Sequence, residues 1–152
     1  METSYINKLL SKEKNFIGTF ARDLLPEVIQ KKPKALIANT DPSSKPGQHW
    51  ISMIFNSDGT GEYFDSYGLP PLYLELKKTM DKNCPLGWGY NTRTLQCLSC
   101  LTCGEYCVLF VKLRLLGYSY CDFLTLFTYN KNKNDIIIKN LMRGLFDKQY
   151  VN

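Results

Sequence analysis

The apolar and polar positions alternate over short spans, so the chain reads as a series of brief elements. Residues 5–10 and then 16–29, broken at Pro26, read as amphipathic segments, and a basic turn follows up to Pro33. Residues 35–38 are a short apolar run closed by the turn-rich segment 39–47. Residues 48–55 form a second run, too apolar for a strand with one wet face, which predicts burial on both faces. The Asp58-Gly59 pair is a hairpin signal, and it lets residues 62–66 pair back antiparallel. Leu72, Leu76 and Met80 share one side of a helix predicted over residues 72–80. Residues 82–90, with Pro85, Gly87 and Gly89, read as irregular, and residues 94–97 as the end of a strand. The most helix-like apolar block spans residues 103–116 and is punctuated by Gly117, whereas residues 118–129 have no clear period. A final amphipathic helix is predicted over residues 135–146, capped by Asn134 or Asp135. Helices flanking a mixed, mainly antiparallel sheet describe an α+β domain.

Length and composition narrow this picture. A chain of 152 residues, 44% of them apolar, fits a single domain over residues 1–152, and a monomer is expected. No stretch approaches the roughly 20 apolar residues that cross a bilayer, and the N-terminus has neither the apolar segment nor the small-residue cleavage site of a secretory signal. The expectation is a soluble, intracellular protein with no membrane association. Nineteen basic residues against fourteen acidic give a formal charge of +5, but the basic positions are scattered as a solvated surface scatters them. A polyanionic partner such as DNA is permitted, and nonspecific binding to it would be sensitive to salt.

Six cysteines and one histidine are the oddest feature, since an intracellular chain has little use for disulfides. Cys97, Cys100, Cys103 and Cys107 reproduce the spacing C-x2-C-x2-C-x3-C that holds iron–sulfur clusters. In that run the fourth cysteine serves a second cluster and a proline follows it, whereas Val108 follows here, and a single cluster would need Cys84 or Cys121 as a remote ligand. A noncatalytic metal-binding or nucleic-acid-binding module therefore stands as one reading.

Nucleophilic catalysis by a cysteine is the other. A thiol attacks as its thiolate, which a nearby histidine and the positive end of a helix both favour, while a carboxylate holds the imidazole in its working orientation. Cys103 stands at the start of the predicted helix, and Gly104 beside it would let a substrate backbone approach the sulfur. With the turn near Asp58-Gly59, His49 and Asp65 come within about one register step, and directly opposed residues have Cβ atoms about 5 Å apart. Gln96, seven positions before Cys103, offers an amide N–H to an oxyanion. Taken singly, each has a bland alternative: a packed histidine, an end-capping aspartate, a hydrogen-bonding glutamine, a buried small cysteine. The conjunction is what favours catalysis, because a single histidine must serve any Cys/His mechanism.

The order His49-Trp50, then Tyr63-Phe64-Asp65-Ser66-Tyr67-Gly68, then Gln96, then Cys103-Gly104-Glu105-Tyr106-Cys107, resembles the adenovirus maturation protease (adenain) family and its relatives in virophages and Maverick/Polinton-type elements. SUMO and ubiquitin-like-protein proteases are more distant kin. The stretches 16–20 and 35–40 fit the same pattern, so the resemblance runs over residues 16–115. It implies a papain-like, adenain-like cysteine protease fold with the nucleophile at the N-terminus of the central helix. It also implies roles: Cys103 as nucleophile, His49 as base and then acid, Asp65 as its orienting partner, and Gln96 as oxyanion donor with the Cys103 backbone N–H. Trp50 would pack on the imidazole. The family uses Glu more often than Asp at position 65, which alters reach and leaves the role unchanged.

The activity implied is cleavage of viral or mobile-element structural precursors during virion maturation, in the infected host cell and within the virion. Deconjugation of ubiquitin-like proteins is the alternative. No cofactor is required on this reading. The adenoviral enzymes are stimulated by DNA and by a disulfide-linked viral peptide, but Cys84 is offset by one residue from the linking position. Stimulation by DNA is compatible with the +5 charge.

Overall fold

A computed structural model describes residues 1–146, and residues 147–152 of the expected domain lie outside the described residues. Five short strands follow one another across a single sheet in chain order: β1 (Phe16–Ala21), β2 (Lys34–Asn39), β3 (Trp50–Phe55), β4 (Gly61–Phe64) and β5 (Trp88–Tyr90). The β2–β3 and β3–β4 pairings are antiparallel, while β1–β2 and β4–β5 are parallel. The sheet is therefore evenly mixed, where the sequence pattern predicts a mainly antiparallel one. Both parallel pairings involve strands that the pattern does not display. β1 is an edge strand with almost every residue half-buried, so its polar–apolar period is blurred. β5 is three residues long and pairs with β4 after the crossover through helix α2 (Leu74–Asn83). Residues 94–97, in contrast, form no strand.

All six residues of β3 are buried, as the apolar run over residues 48–55 predicts. Alternate side chains serve two cores. Leu36, Ala38, Ile51, Met53, Phe55 and Tyr63 meet Leu76 and Met80 of α2. Ala35, Ile37, Trp50, Ile54 and Phe64 face the opposite layer, built on α3 (Cys103–Leu115) with α1 (Thr3–Leu9), α4 (Tyr120–Thr125) and α5 (Lys131–Phe146) around it. α3 is buried continuously from Tyr106 to Val111 because sheet and helices enclose it, so its apolar residues form no stripe. Phe110 stacks on Phe64 at 4.6 Å between ring centroids, and Phe123 meets both rings edge-on at 5.1 Å.

Three helix boundaries differ from the pattern. α2 starts at Leu74 and leaves Leu72 68% exposed. α4 lies in the segment without a period and starts at a capping box, in which Ser119 Oγ accepts from the Asp122 N–H and Asp122 Oδ2 accepts from the Ser119 N–H. α5 begins a turn before the predicted start, where Asn130 Oδ1 accepts from the Lys133 N–H at 3.0 Å. Asn134 and Asp135 are buried inside α5 and bind a loop instead of capping the helix. No described helix is long and apolar enough to cross a membrane.

Candidate active site

The hairpin fixes the histidine. The β2–β3 ladder continues one pair beyond the strands, with the Thr40 N–H donating to the His49 carbonyl at 2.9 Å. Carrying the β3–β4 register past its last pair, Ser52 with Phe64, sets Tyr67 opposite His49 and Asp65 on the diagonal. The side chains follow that placement. His49 Nε2 donates to Asp65 Oδ1 at 2.8 Å, and the Tyr67 ring stacks on the imidazole with centroids 4.8 Å apart. With Nε2 given to the carboxylate, Nδ1 is the nitrogen that faces Cys103, which hydrogen-bonds the ring.

Tyr67, rather than the expected Trp50, covers the imidazole. Trp50 donates its indole N–H to the Met1 carbonyl at 3.0 Å and packs in the α3-side core. Gly104 also differs from expectation. A Cβ there would lie 2.8 Å from Met1 Cβ and 3.4 Å from the Trp50 ring, so its missing side chain makes room for Met1 and Trp50.

Asp65 is held on every side. Its Oδ1 accepts from the Tyr67 N–H at 2.8 Å and its carbonyl accepts from the Gly68 N–H, closing a turn, and Gly68 at its end takes a positive φ. A Cβ on Gly68 would lie 2.8 Å from the Arg93 backbone. Just after β5, the Asn91 carboxamide pairs with the Asp65 backbone: Oδ1 accepts from the Asp65 N–H at 3.2 Å and Nδ2 donates to its carbonyl at 2.8 Å. Tyr120 Oη, in α4, lies 2.7 Å from Asn91 Oδ1 and accepts from the Asn91 N–H at 3.1 Å.

The same turn grips Gln96. The Ser66 carbonyl accepts from the backbone N–H groups of Leu95 and Gln96, and Ser66 Oγ donates to Gln96 Oε1 at 2.6 Å. This fixes the amide orientation: Nε2 donates to the Cys100 carbonyl at 2.5 Å and approaches Tyr67 Oη at 3.4 Å. Cys103 is the first residue of α3. Thr102, which precedes it, gives its hydroxyl to Asp135 Oδ1 at 2.5 Å and makes no side-chain cap on the helix, so no side-chain oxygen of Thr102 competes for the first-turn N–H groups.

His49, Tyr67, Gln96 and Cys103 line one cleft of about 590 Å³, which Asn39 and Asp41 also line. Burial alone would lower the His49 pKa, but the hydrogen bonds and charges of Asp65 and Cys103 outweigh it, and the pKa is pushed up to about 9. At neutral pH the site therefore holds an imidazolium beside a sulfur at the positive end of a helix. Such a group can deliver a proton to a leaving atom, and its field stabilises negative charge at the sulfur.

The other cysteines part company. Cys107 is buried in the core, with its carbonyl accepting from Ser52 Oγ. Cys97 and Cys100 gather with Asp135 away from Cys103, so among the described residues the four-cysteine run does not surround one point. Cys84 is 3% exposed beneath Gly61, and burial pushes its thiol up to about 11. Tyr67, Ser66 and Asn91 are the residues that sequence reasoning missed. Tyr67 was in reach of it, because the hairpin register that pairs His49 with Asp65 also sets Tyr67 opposite His49.

No protein-family model matches the chain. A curated protein from Bovine adenovirus 4, named a protease, is 33% identical over 110 aligned positions, which span 63% of this chain and 54% of the relative. Over that span the chain is similar to an adenovirus protease. It spans about half the length of the curated relative it matches. Among solved structures, the chain shares its fold with a protease of ASFV at a TM-score of 0.52 and 24% identity, over 71% of this chain and 44% of that one. The central domain of an uncharacterized Legionella pneumophila protein matches at a TM-score of 0.53 and 15% identity, over 97% and 98% of the two chains.

Proposed function

We propose that the protein is a cysteine endopeptidase that uses Cys103, His49 and Asp65, with Gln96 at the oxyanion site. The observation that carries this reading is His49 hydrogen-bonded through Nε2 to Asp65 and on its other face to Cys103. The Cys103 sulfur attacks the scissile carbonyl, and the oxyanion that develops receives the Cys103 backbone N–H and a Gln96 Nε2 proton. Ser66 supports this use of Gln96, because it takes up Oε1 and leaves the donor end of the amide toward the cleft. His49 gives its proton to the leaving amine, and the acyl-enzyme forms. His49 then takes a proton from water as that water attacks the thioester. Asp65 holds the ring in register throughout.

The substrates proposed are viral or mobile-element structural precursors, in the infected cell and in the assembling particle. The adenovirus relative's name as a protease supports this class. Any stimulation by DNA would act through surface cations and weaken with salt. A disulfide-linked peptide activator at Cys84 is not proposed, given the burial of that thiol.

The test is mass spectrometry after a thiol-directed covalent probe, together with cleavage assays on a capsid precursor and on ubiquitin-like fusions. Cys103 is expected to be labelled first at neutral pH, and Cys103→Ala to lose cleavage entirely. Cleavage retained in Cys103→Ala would overturn the assignment. Cleavage of the fusions alone would transfer the substrate class to ubiquitin-like proteins.

A further inference from the structure

The proposed reaction leaves a second pair of sulfurs unused, Cys100 in the lining of the cleft and Cys97 outside that lining. Cys97 and Cys100 are the first and fourth residues of a turn closed by the Cys100 N–H on the Cys97 carbonyl at 3.1 Å. A turn of this kind keeps its end Cα atoms within about 7 Å, which overlaps the span of about 4.4–6.8 Å that a disulfide bridges. Both residues are half-exposed, and the neighbouring Leu98 and Leu101 are 81% and 87% exposed, so a reagent from solvent can reach the turn. All six cysteines are free thiols.

We infer that Cys97 and Cys100 form a redox-active dithiol, closed to a disulfide by a low-molecular-weight disulfide such as oxidised glutathione. The Cys97 sulfur attacks one sulfur of the oxidant and releases the first glutathione thiol. The Cys100 sulfur then attacks Cys97, forming the Cys97–Cys100 bond and releasing the second. The pair loses two electrons and two protons, and both are accounted for in two molecules of reduced glutathione. The thiols are matched to these steps. Hydrogen bonds from Ser99, with a further one from Cys100, hold Cys97 below its ordinary value, whereas the hydrogen bond to Cys97 and the neighbouring Asp135 push Cys100 up to about 11.

The turn is coupled to the cleft at both ends. The Cys100 carbonyl accepts from Gln96 Nε2, and the Cys97 N–H is held by Asp135 Oδ2 at 3.0 Å. Closing the disulfide shifts the carbonyl that now holds the Gln96 amide. The consequence for activity rests on the proposed role of Gln96, whereas the disulfide itself does not.

A zinc ion is the competing occupant, since the two sulfurs and an Asp135 oxygen lie within 4.8 Å of one another. Both Asp135 oxygens are already bonded, to the Cys97 N–H and the Thr102 hydroxyl, and among the described residues no fourth His, Cys, Asp or Glu joins the group.

The experiment treats purified full-length chain with oxidised glutathione, counts alkylatable thiols under denaturing conditions and measures intact mass. Cys103→Ala should lose two thiols without gaining glutathione, the parent should lose the same two besides any glutathione held on Cys103, and reduction should restore them. Cys97→Ser and Cys100→Ser should form no internal bond, while Cys121→Ser should behave as the parent does. Retention of both Cys97 and Cys100 as thiols, stable glutathione adducts on either of them, an internal bond that includes Cys103, or one zinc per chain lost in Cys97→Ser would each overturn the inference. Proteolysis should fall further on oxidation in the parent than in Cys97→Ser, and should return on reduction in both. An internal disulfide in a protein without proteolysis would sink the catalytic reading and leave the redox pair standing.

Discussion

A single imidazole makes His49 a clean reporter of the whole site. In the reduced protein its NMR titration should have a midpoint near 9 instead of the ordinary 6.5, because Asp65 and Cys103 both stabilise the charged ring against burial. Asp65→Asn removes a hydrogen-bonded charge and should move the midpoint down, and Cys103→Ala should do the same by a different route. A parent midpoint near 6.5 would mean that the pairing does not form. The sign extends to stability. A folded-state pKa above the unfolded one adds stability that is complete below about pH 6.5 and is lost as pH rises through about 9. Chemical denaturation should therefore show stability falling across that window in the parent, with a flatter profile in His49→Gln. This part of the site was legible in the sequence because His49 and Asp65 sit on one hairpin whose turn is marked by Asp58-Gly59. Ser66 and Asn91 were not, since their roles depend on contacts 30 and 26 residues away.

Between elements, the least conspicuous strand does the most positioning. β5 ends at Tyr90, and from there the Asn91 side chain continues the pairing that backbone would otherwise make, bonding both the N–H and the carbonyl of Asp65. Nothing in a three-residue strand that follows Gly87 and contains Gly89 signals this, because the pairing is created by the β4–α2–β5 crossover rather than by local preference. Asn91→Ala leaves the buried Asp65 N–H without its partner, which costs about 1–3 kcal/mol, while the Asp65 carbonyl keeps only the Gly68 N–H. It also frees Asp65 to move relative to His49. Cleavage should fall by up to about 100-fold, as misplacing a catalytic group by about 1 Å does, and the His49 midpoint should drop with it. A stability loss with an unchanged midpoint would assign Asn91 a purely structural role. The helices teach the complementary lesson. The start of α3 was readable because its apolar block is long, whereas α5 starts at Lys131, just after Asn130, because tertiary bonds to the loops at Leu95, Cys97 and Thr102 draw Asn134 and Asp135 inside.

At the scale of the whole molecule, the sheet couples two cores that never touch. β2 and β3 place alternate residues into each, so Leu36 and Met53 belong to the α2 side while Ile37 and Ile54 belong to the α3 side. Loss of either layer exposes one face of the strands that the other layer needs, which argues for a single cooperative unit. Phe110→Ala, in the aromatic cluster of the α3 side, should cost about 3–5 kcal/mol, and Met80→Ala, on the α2 side, about 2–5 kcal/mol. Each variant should shift one transition that far-UV and near-UV circular dichroism report together. Because the hairpin that carries His49 and Asp65 spans β3 and β4, it should melt in that same transition, so the His49 signal should change to its unfolded form at the same denaturant concentration. Separate transitions for the two variants, or an early loss of the His49 signal, would show that the layers fold independently and that the sheet does not transmit stability from one to the other.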